Sequence, residues 1–221
     1  VEAGDDLTAW LAGWALYPRH WDTSTSPVVR SVKVAMLSSY TTTQFCPLLQ
    51  LAAARLGIHI DLYESHYGQY QQDIIDPGSR LYAFGPDMVI LAVHEGDLRL
   101  PEYSSTPEED VRTEVGRWTA LWKLVAERSR ARVIQHNFAL PCEVPAGHLA
   151  TRLPGSRYMM TQAVNMRLGE AAGHAVSFVD CERLSALVGK RQWCDPRYWN
   201  LSKPQAVNMR LGEAAGHAVS F

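Results

Sequence analysis

The stretch PDMVILAV at residues 86–93 decides the fold class of this chain. Here an apolar run without interruption, residues 88–93, follows Pro86 and Asp87. Such a run is typical of a strand that is covered on both faces, as in a parallel sheet between two layers of helices. The run therefore predicts a central strand of an α/β fold.

Strand-like and helix-like segments alternate on both sides of this run. Apolar and β-branched runs predict four further strands, at residues 31–39, 59–65, 131–135 and 174–180. Helical spacing predicts helices at residues 46–56, 106–128, 156–172 and 181–188, and a polar helix-like turn at 68–76. Because strands that alternate with helices form right-handed crossovers, the chain is predicted to be an α/β protein with a five-stranded parallel, doubly wound sheet in a three-layer α/β/α sandwich.

Two of these helices carry N-terminal capping signals. Thr106 is placed as an N-cap before Pro107, and Glu109 is spaced to close a capping box. Ser156 is placed to cap the helix that follows it.

Composition and charge exclude several classes of protein. The formal net charge is -2, so the chain lacks the basic excess that nucleic-acid binding requires. No stretch approaches the roughly 20 apolar residues of a membrane span. We expect neither nucleic acid nor a membrane as a partner.

The cysteines and the N-terminus predict a compartment. The four cysteines lie far apart in the sequence and include no C-x-x-C pair; they are Cys46, Cys142, Cys181 and Cys194. This spacing predicts neither a zinc knuckle nor a disulfide scaffold. The first residues lack the basic segment of a secretion signal. A reducing, cytoplasmic environment is therefore expected.

The chain divides into three segments. Residues 1–30 are predicted to be an N-terminal helix and linker, and residues 31–204 are predicted to be the α/β domain. Residues 205–221 repeat residues 162–178, QAVNMRLGEAAGHAVSF, without a mismatch. Repeats that stack as structural units diverge and recur three or more times. The second copy is therefore interpreted as an artefact or an appended tail.

Polar residues follow the predicted strands at their carboxyl ends, where open parallel sheets bind ligands. Ser39 is a candidate nucleophile and His94 and His136 are candidate general bases. Each has a structural alternative, since a hydroxyl there can cap a helix and a histidine can bind a loop carbonyl. The candidate substrate-binding residues are Ser38, Gly68, Asp97 and Asn137. Metal binding has no local support in the sequence.

Four strings in this order resemble the N-terminal domain of FkbH-like proteins, which belong to the HAD superfamily and act in polyketide pathways. They are LYESHYGQYQQDIIDP at 62–77, LYAFGPDMV at 81–89, VIQHNF at 133–138 and WNLSK at 199–203. The resemblance covers about residues 31–203.

The resemblance implies a function for the complete protein. Such proteins take a glyceryl unit from 1,3-bisphosphoglycerate, remove phosphate, and load the unit onto the phosphopantetheine arm of an acyl carrier protein. The phosphate chemistry belongs to a C-terminal HAD domain with Mg²⁺, which lies beyond this sequence. The implied partners are the acyl carrier protein and that HAD domain, and no cofactor is expected in the present domain.

The same resemblance implies an SGNH-hydrolase-like fold. Ser39, or Ser38, matches its serine position loosely and Gly68 matches its glycine position. HEGD at 94–97 stands where G-x-N-D is expected, and DPRY at 195–198 lacks the histidine of D-x-x-H. An ordinary triad would therefore need His136 or His94 from another strand. Three hypotheses follow: an acyl-handling domain of a glyceryl-transferring enzyme, an SGNH-type serine esterase or acyltransferase, and a non-catalytic structural module.

Overall fold

A five-stranded parallel sheet is the centre of the computed structural model, which describes residues 30–43 and 45–194. The strand order is β2-β1-β3-β4-β5, and each neighbouring pair is parallel. The strands are β1 (Arg30–Ser38), β2 (Ile58–Glu64), β3 (Met88–Ala92), β4 (Arg132–His136) and β5 (Val176–Val179). The predicted fold class is confirmed.

The apolar run in β3 is explained by its central place. Val89 and Leu91 pack into the core on one face of the sheet, whereas Ile90 and Ala92 pack into the core on the other. Side chains alternate between faces along a strand, so a strand with two buried faces needs apolar residues at every position.

Helices cover both faces. They are α1 (Phe45–Arg55), α2 (Tyr70–Ile75), α3 (Arg80–Phe84), α4 (Pro107–Arg128), α5 (Arg157–Ala172), α6 (Cys181–Val188) and α7 (Lys190–Trp193), with 3₁₀ turns at Glu95–Asp97 and Gly147–Arg152. Core residues of α2 to α5 pack on one face, and those of α1, α6 and α7 pack on the other. The four longest helices match the predicted segments, whereas α3, α7 and both 3₁₀ turns were not predicted because they are too short to show a period.

The two predicted caps have different outcomes. The Ser156 hydroxyl accepts a hydrogen bond from the backbone N–H of Met159, as predicted. At α4, however, the Thr106 side chain makes no capping hydrogen bond. The prediction of a capping box at Thr106 was wrong, because Ser104 Oγ instead accepts from the Thr106 backbone N–H at 2.9 Å.

Cys142 and Cys194 form a disulfide that joins the loop after β4 to the residue after α7. The sequence did not predict this single bond, since residues 52 positions apart leave no local signature. Cys46 and Cys181 are free and buried. Because disulfides persist mainly in oxidising compartments, the bond weighs against the cytoplasmic localisation, which stays a prediction.

Two further predictions concern a membrane span and the two ends of the chain. The described residues include no helix of the length and apolarity that a membrane span needs. The predicted N-terminal helix and the repeat at 205–221 lie outside the described residues.

Candidate functional site at the carboxyl edge of the sheet

The order of the strands reverses at β1, because β2 lies on one side of it and β3 on the other. Ligands of open α/β sheets bind at the carboxyl ends of the strands that flank such a reversal. Ser39 follows β1, and its backbone N–H donates to Ala92 O at 3.1 Å. Its Oγ accepts from the backbone N–H of His94 at 3.0 Å. The structure therefore brings the main chain of His94 to the Ser39 hydroxyl.

The His94 imidazole faces its own loop. Nδ1 accepts from the backbone N–H of Gly96 at 2.9 Å, and Nε2 lies 2.9 Å from Glu95 Oε2. His94 thus meets Ser39 through its main chain, while its ring forms a pair with Glu95.

His136 lies deeper, at the end of β4. Its Nδ1 is 3.3 Å from the Tyr40 hydroxyl, and both side chains are buried. Burial lowers the pKa of His136 to about 4. Burial, and then the nearby thiols of Cys181 and Cys46, raise the pKa of Tyr40 well above its usual value. Both groups are therefore neutral at physiological pH, and His136 is a weak base there.

Residues that follow β2 form main-chain hydrogen bonds with the end of β1. Ser38 is only 1% exposed, and its carbonyl accepts from the backbone N–H of Gly68 at 3.2 Å. Gly68 has φ of +70°, a left-handed conformation that other L-residues rarely adopt. Gly68 thus shapes the turn, and Ser38 lies beneath the surface.

Two arginines fix the loop at residues 94–100, which we call the 94–100 loop. Arg117 of α4 donates to the carbonyl of Asp97 at 2.9 Å. Arg157, the first residue of α5, donates to the carbonyls of Glu95 and Leu98, each at 3.2 Å, and also to that of Leu100. Asp97 was predicted to bind substrate; in the structure its backbone carbonyl accepts the hydrogen bond from Arg117. Sequence reasoning missed both arginines.

Asn137 joins β4 to the start of α6. Its Nδ2 donates to Asp180 Oδ1 at 2.8 Å, and its Oδ1 accepts from the backbone N–H of Glu182 at 3.0 Å. Both polar atoms of the Asn137 side-chain amide therefore have hydrogen-bond partners within the protein. Its predicted contact with substrate stays a prediction.

A cleft of about 760 Å³ opens beside the 94–100 loop. Its described lining contains three carboxylates, two guanidinium groups, an imidazole and the disulfide. These residues are Glu95, Glu102, Glu143, Arg157, Arg191, His94, Cys142 and Cys194. Most were missed by sequence reasoning, because they come from loops and helix ends that carry no periodic signal. A smaller cavity is lined by Tyr40, His94, His136 and Asn137, so the ends of β1, β3 and β4 converge here.

The described residues contain no cluster of three or more His, Cys, Asp or Glu side chains that could hold a metal ion. The described residues of this edge offer carboxylates, guanidinium groups and backbone N–H groups for hydrogen bonding, together with the half-buried Ser39 hydroxyl.

Comparisons with solved structures support the fold. The N-terminal part of the protein BF1531 from Bacteroides fragilis, described as containing a phosphatase domain complexed with Mg, is similar with a TM-score of 0.76 and 19% identity. The match covers 96% of this chain and 55% of that one, so the present chain spans about half of its length.

Two hydrolases share the fold at lower similarity. The acetylxylan esterase Axe2 from Geobacillus stearothermophilus has a TM-score of 0.53 and 14% identity, over 88% of this chain and 97% of its own. A GDSL-like lipase from Parabacteroides merdae, itself described as putative, has a TM-score of 0.50 and 14% identity, over 85% and 96%.

A comparison with curated proteins found no match. Residues 33–209 match the family described as FkbH, N-terminal domain. This match covers most of the chain and includes β3, the 94–100 loop and the cleft residues. The chain therefore belongs to the FkbH N-terminal domain family.

Proposed function

We propose that this chain is the acyl-handling domain of a glyceryl transferase/phosphatase. The whole protein would load a glyceryl unit from 1,3-bisphosphoglycerate onto the phosphopantetheine arm of an acyl carrier protein. Phosphate removal would take place in a C-terminal HAD domain with Mg²⁺. Family membership supports this proposal, as does similarity to a longer protein whose description includes a phosphatase domain and Mg.

The main support for the proposed role of this domain is the charge of the cleft. Glu95, Glu102 and Glu143 outnumber Arg157 and Arg191 in the described lining. Ionised carboxylates accept hydrogen bonds and cannot donate them, so they suit the hydroxyl groups of a ligand and repel phosphate. A glyceryl thioester without phosphate is uncharged and presents two hydroxyl groups. The cleft therefore suits the dephosphorylated unit better than the bisphosphate.

The geometry around Ser39 favours binding over hydrolysis. The His94 ring pairs with Glu95, and the His136 ring lies against Tyr40 with a lowered pKa. Neither ring is placed on Ser39 Oγ, which instead accepts from a backbone N–H. In the described part of the chain, Ser39 therefore lacks the histidine contact that activates a serine nucleophile. Such a site would hold a thioester without hydrolysing it.

The test is a titration of the full chain with an acyl carrier protein in three forms: apo, with a free phosphopantetheine thiol, and glyceryl-loaded. We expect the loaded form to bind most tightly. Glu95→Gln, which replaces a charged acceptor by a neutral one, should weaken binding of the loaded form about tenfold. The matched control is Glu127→Gln on the exposed face of α4, which should leave binding unchanged. Equal binding of all three forms, or none, would refute the proposal.

One observation favours a second candidate, an SGNH-type esterase or acyltransferase. Ser39 lies at the tip of β1, partly exposed, with the His94 N–H on its Oγ. This candidate predicts hydrolysis of p-nitrophenyl acetate that is lost in Ser39→Ala. Hydrolysis that is absent, or equal in the two proteins, would exclude Ser39 as a nucleophile.

A further inference from the structure

An apolar side pocket of about 160 Å³ lies next to the cleft. The loop after β4, the 3₁₀ turn at Gly147–Arg152 and the start of α5 form its walls. Apolar surface predominates in this lining, which includes Pro141, Val144, Pro145, Ala146, Ala150 and Leu153. This composition differs from that of the cleft, whose described lining contains five charged side chains.

Two polar side chains at the pocket wall, Ser156 and Arg157, already have partners within the protein. Ser156 Oγ donates to Ala150 O at 2.9 Å and accepts from the backbone N–H of Met159 at 3.3 Å. Arg157 donates to carbonyls of the 94–100 loop. Because these two groups are occupied and apolar surface predominates in the lining, the pocket favours apolar atoms.

The pocket is preformed. Tyr103 and Ser156 form an antiparallel bridge at its wall, and the Ser104 backbone N–H donates to Gly155 O at 2.8 Å. A Cβ at Gly155 would lie 2.0 Å from Ser104 O, so only glycine permits this close approach of the two chain segments. A pocket with such fixed walls does not have to reorganise on binding, which favours affinity.

The cleft and the pocket share a boundary. Glu102, Pro141, Glu143 and Arg157 line both of them. One ligand can therefore place a polar end in the cleft and an apolar group in the pocket. The volume limits the size of that group, since a cavity of about 150 Å³ holds benzene, with its six heavy atoms.

We infer that this side pocket binds the branched aliphatic segment of a pantetheine chain. The thiol end of the chain, which carries the glyceryl unit in the proposed function, then lies in the cleft. The inference rests on the proposed function for the identity of the ligand. The apolar part of this segment is a quaternary carbon with two methyl groups, a compact group that this volume accommodates, whereas each of the two flanking carbons carries an oxygen. A long fatty chain would exceed this volume.

The experiment titrates the full chain with pantetheine and follows backbone amide shifts. We expect saturable binding, with shifts among residues 141–158. Ala146→Phe, which fills the pocket from a half-exposed position, should weaken binding at least tenfold. The matched control, Ala126→Phe on the exposed face of α4, should bind as the unchanged chain does.

A second measurement needs no variant. A pantetheine analogue that has CH₂ in place of the dimethyl carbon should bind the unchanged chain at least tenfold more weakly than pantetheine does. Equal binding of the two compounds, equal binding to the unchanged chain and Ala146→Phe, or no binding of pantetheine at millimolar concentration would overturn the inference.

The outcomes separate this inference from the proposed function. If glyceryl-loaded carrier protein binds the unchanged chain and Ala146→Phe equally, the side pocket is not used and the proposed function stands. If pantetheine binding depends on Ala146 but the loaded carrier protein does not bind, the proposed function fails and the pocket stands as a pantetheine site.

Discussion

Replacing Glu114 by alanine tests whether a buried ion pair supports the candidate site. Glu114 of α4 is 2% exposed. Its carboxylate accepts from Arg117 Nε at 3.1 Å and from Trp118 Nε1 at 2.9 Å, and it also accepts from Arg117 Nη2. The same guanidinium donates to the Asp97 carbonyl. Glu114→Ala leaves a largely buried cation and a buried indole N–H without this acceptor.

The magnitude follows from those two losses. Removing one partner of a buried ion pair costs about 3–5 kcal/mol, and an unsatisfied buried N–H costs about 1–3 kcal/mol. Because the two losses share one side chain, we expect about 4 kcal/mol in the free energy of unfolding, or a fall in Tm of about 8–16 °C for a chain of this size. Urea and thermal unfolding measure both quantities.

The matched control lies in the same helix. Glu109 faces Arg112 at 3.9 Å, and both side chains are more than half exposed, so Glu109→Ala should cost less than about 0.5 kcal/mol. The double variant Glu114→Leu/Arg117→Met should recover most of the stability, because apolar residues of similar volume replace buried ion pairs well. A Glu114→Ala variant that is no less stable than Glu109→Ala would refute the reasoning.

Three further predictions concern His136, the disulfide and Asn137. His136 has a folded-state pKa of about 4 against 6.5 in the unfolded chain, so the unfolded state binds the extra proton. Its contribution to stability, about 3 kcal/mol, is present above pH 6.5 and is lost as the pH falls from 6.5 to 4. Urea unfolding at pH 7 and 4.5 should show this loss, and His136→Gln should remove it; identical pH profiles would contradict the lowered pKa. Reducing the Cys142–Cys194 bond, which spans 52 residues, should cost about 4 kcal/mol of loop entropy. Dithiothreitol should lower the urea midpoint of the unchanged chain but not of a Cys142→Ser/Cys194→Ser variant, and a midpoint insensitive to the reductant would exclude the bond. Asn137→Ala, which removes the link to Asp180 and Glu182, should cost about 2 kcal/mol by the same assay, and an unchanged midpoint would show that the link adds nothing.

The sequence was sufficient for the fold because its signals are local. The apolar run in β3 is typical of a strand covered on both faces, and the four longest helices carry helical periodicity. The short helix α3 and the 3₁₀ turns contain too few residues to show a period. The predicted capping box does not form, because the Ser104 hydroxyl accepts from the Thr106 backbone N–H that the Glu109 carboxylate would have bound.

The candidate site was predictable only in part. Ser39 and His94 lie close together because they follow adjacent parallel strands, but the sequence did not predict the strand order and left His94 and His136 as alternatives. The roles of Arg117 and Arg157 could not be predicted, since a guanidinium that binds distant carbonyls has no spacing rule in the sequence. The Cys142–Cys194 bond could not be predicted either, because its two residues are 52 positions apart and no spacing rule joins them.

The 94–100 loop is held by one arginine from α4 and one from α5, and these helices pack side by side on the same face of the sheet. Its shape therefore depends on the spacing between two helices that pack into the same core. A change of side-chain volume in that core, for example at Val164 of α5, would shift the two guanidinium groups relative to each other. Remote substitutions of this kind would alter ligand affinity while the overall architecture persists.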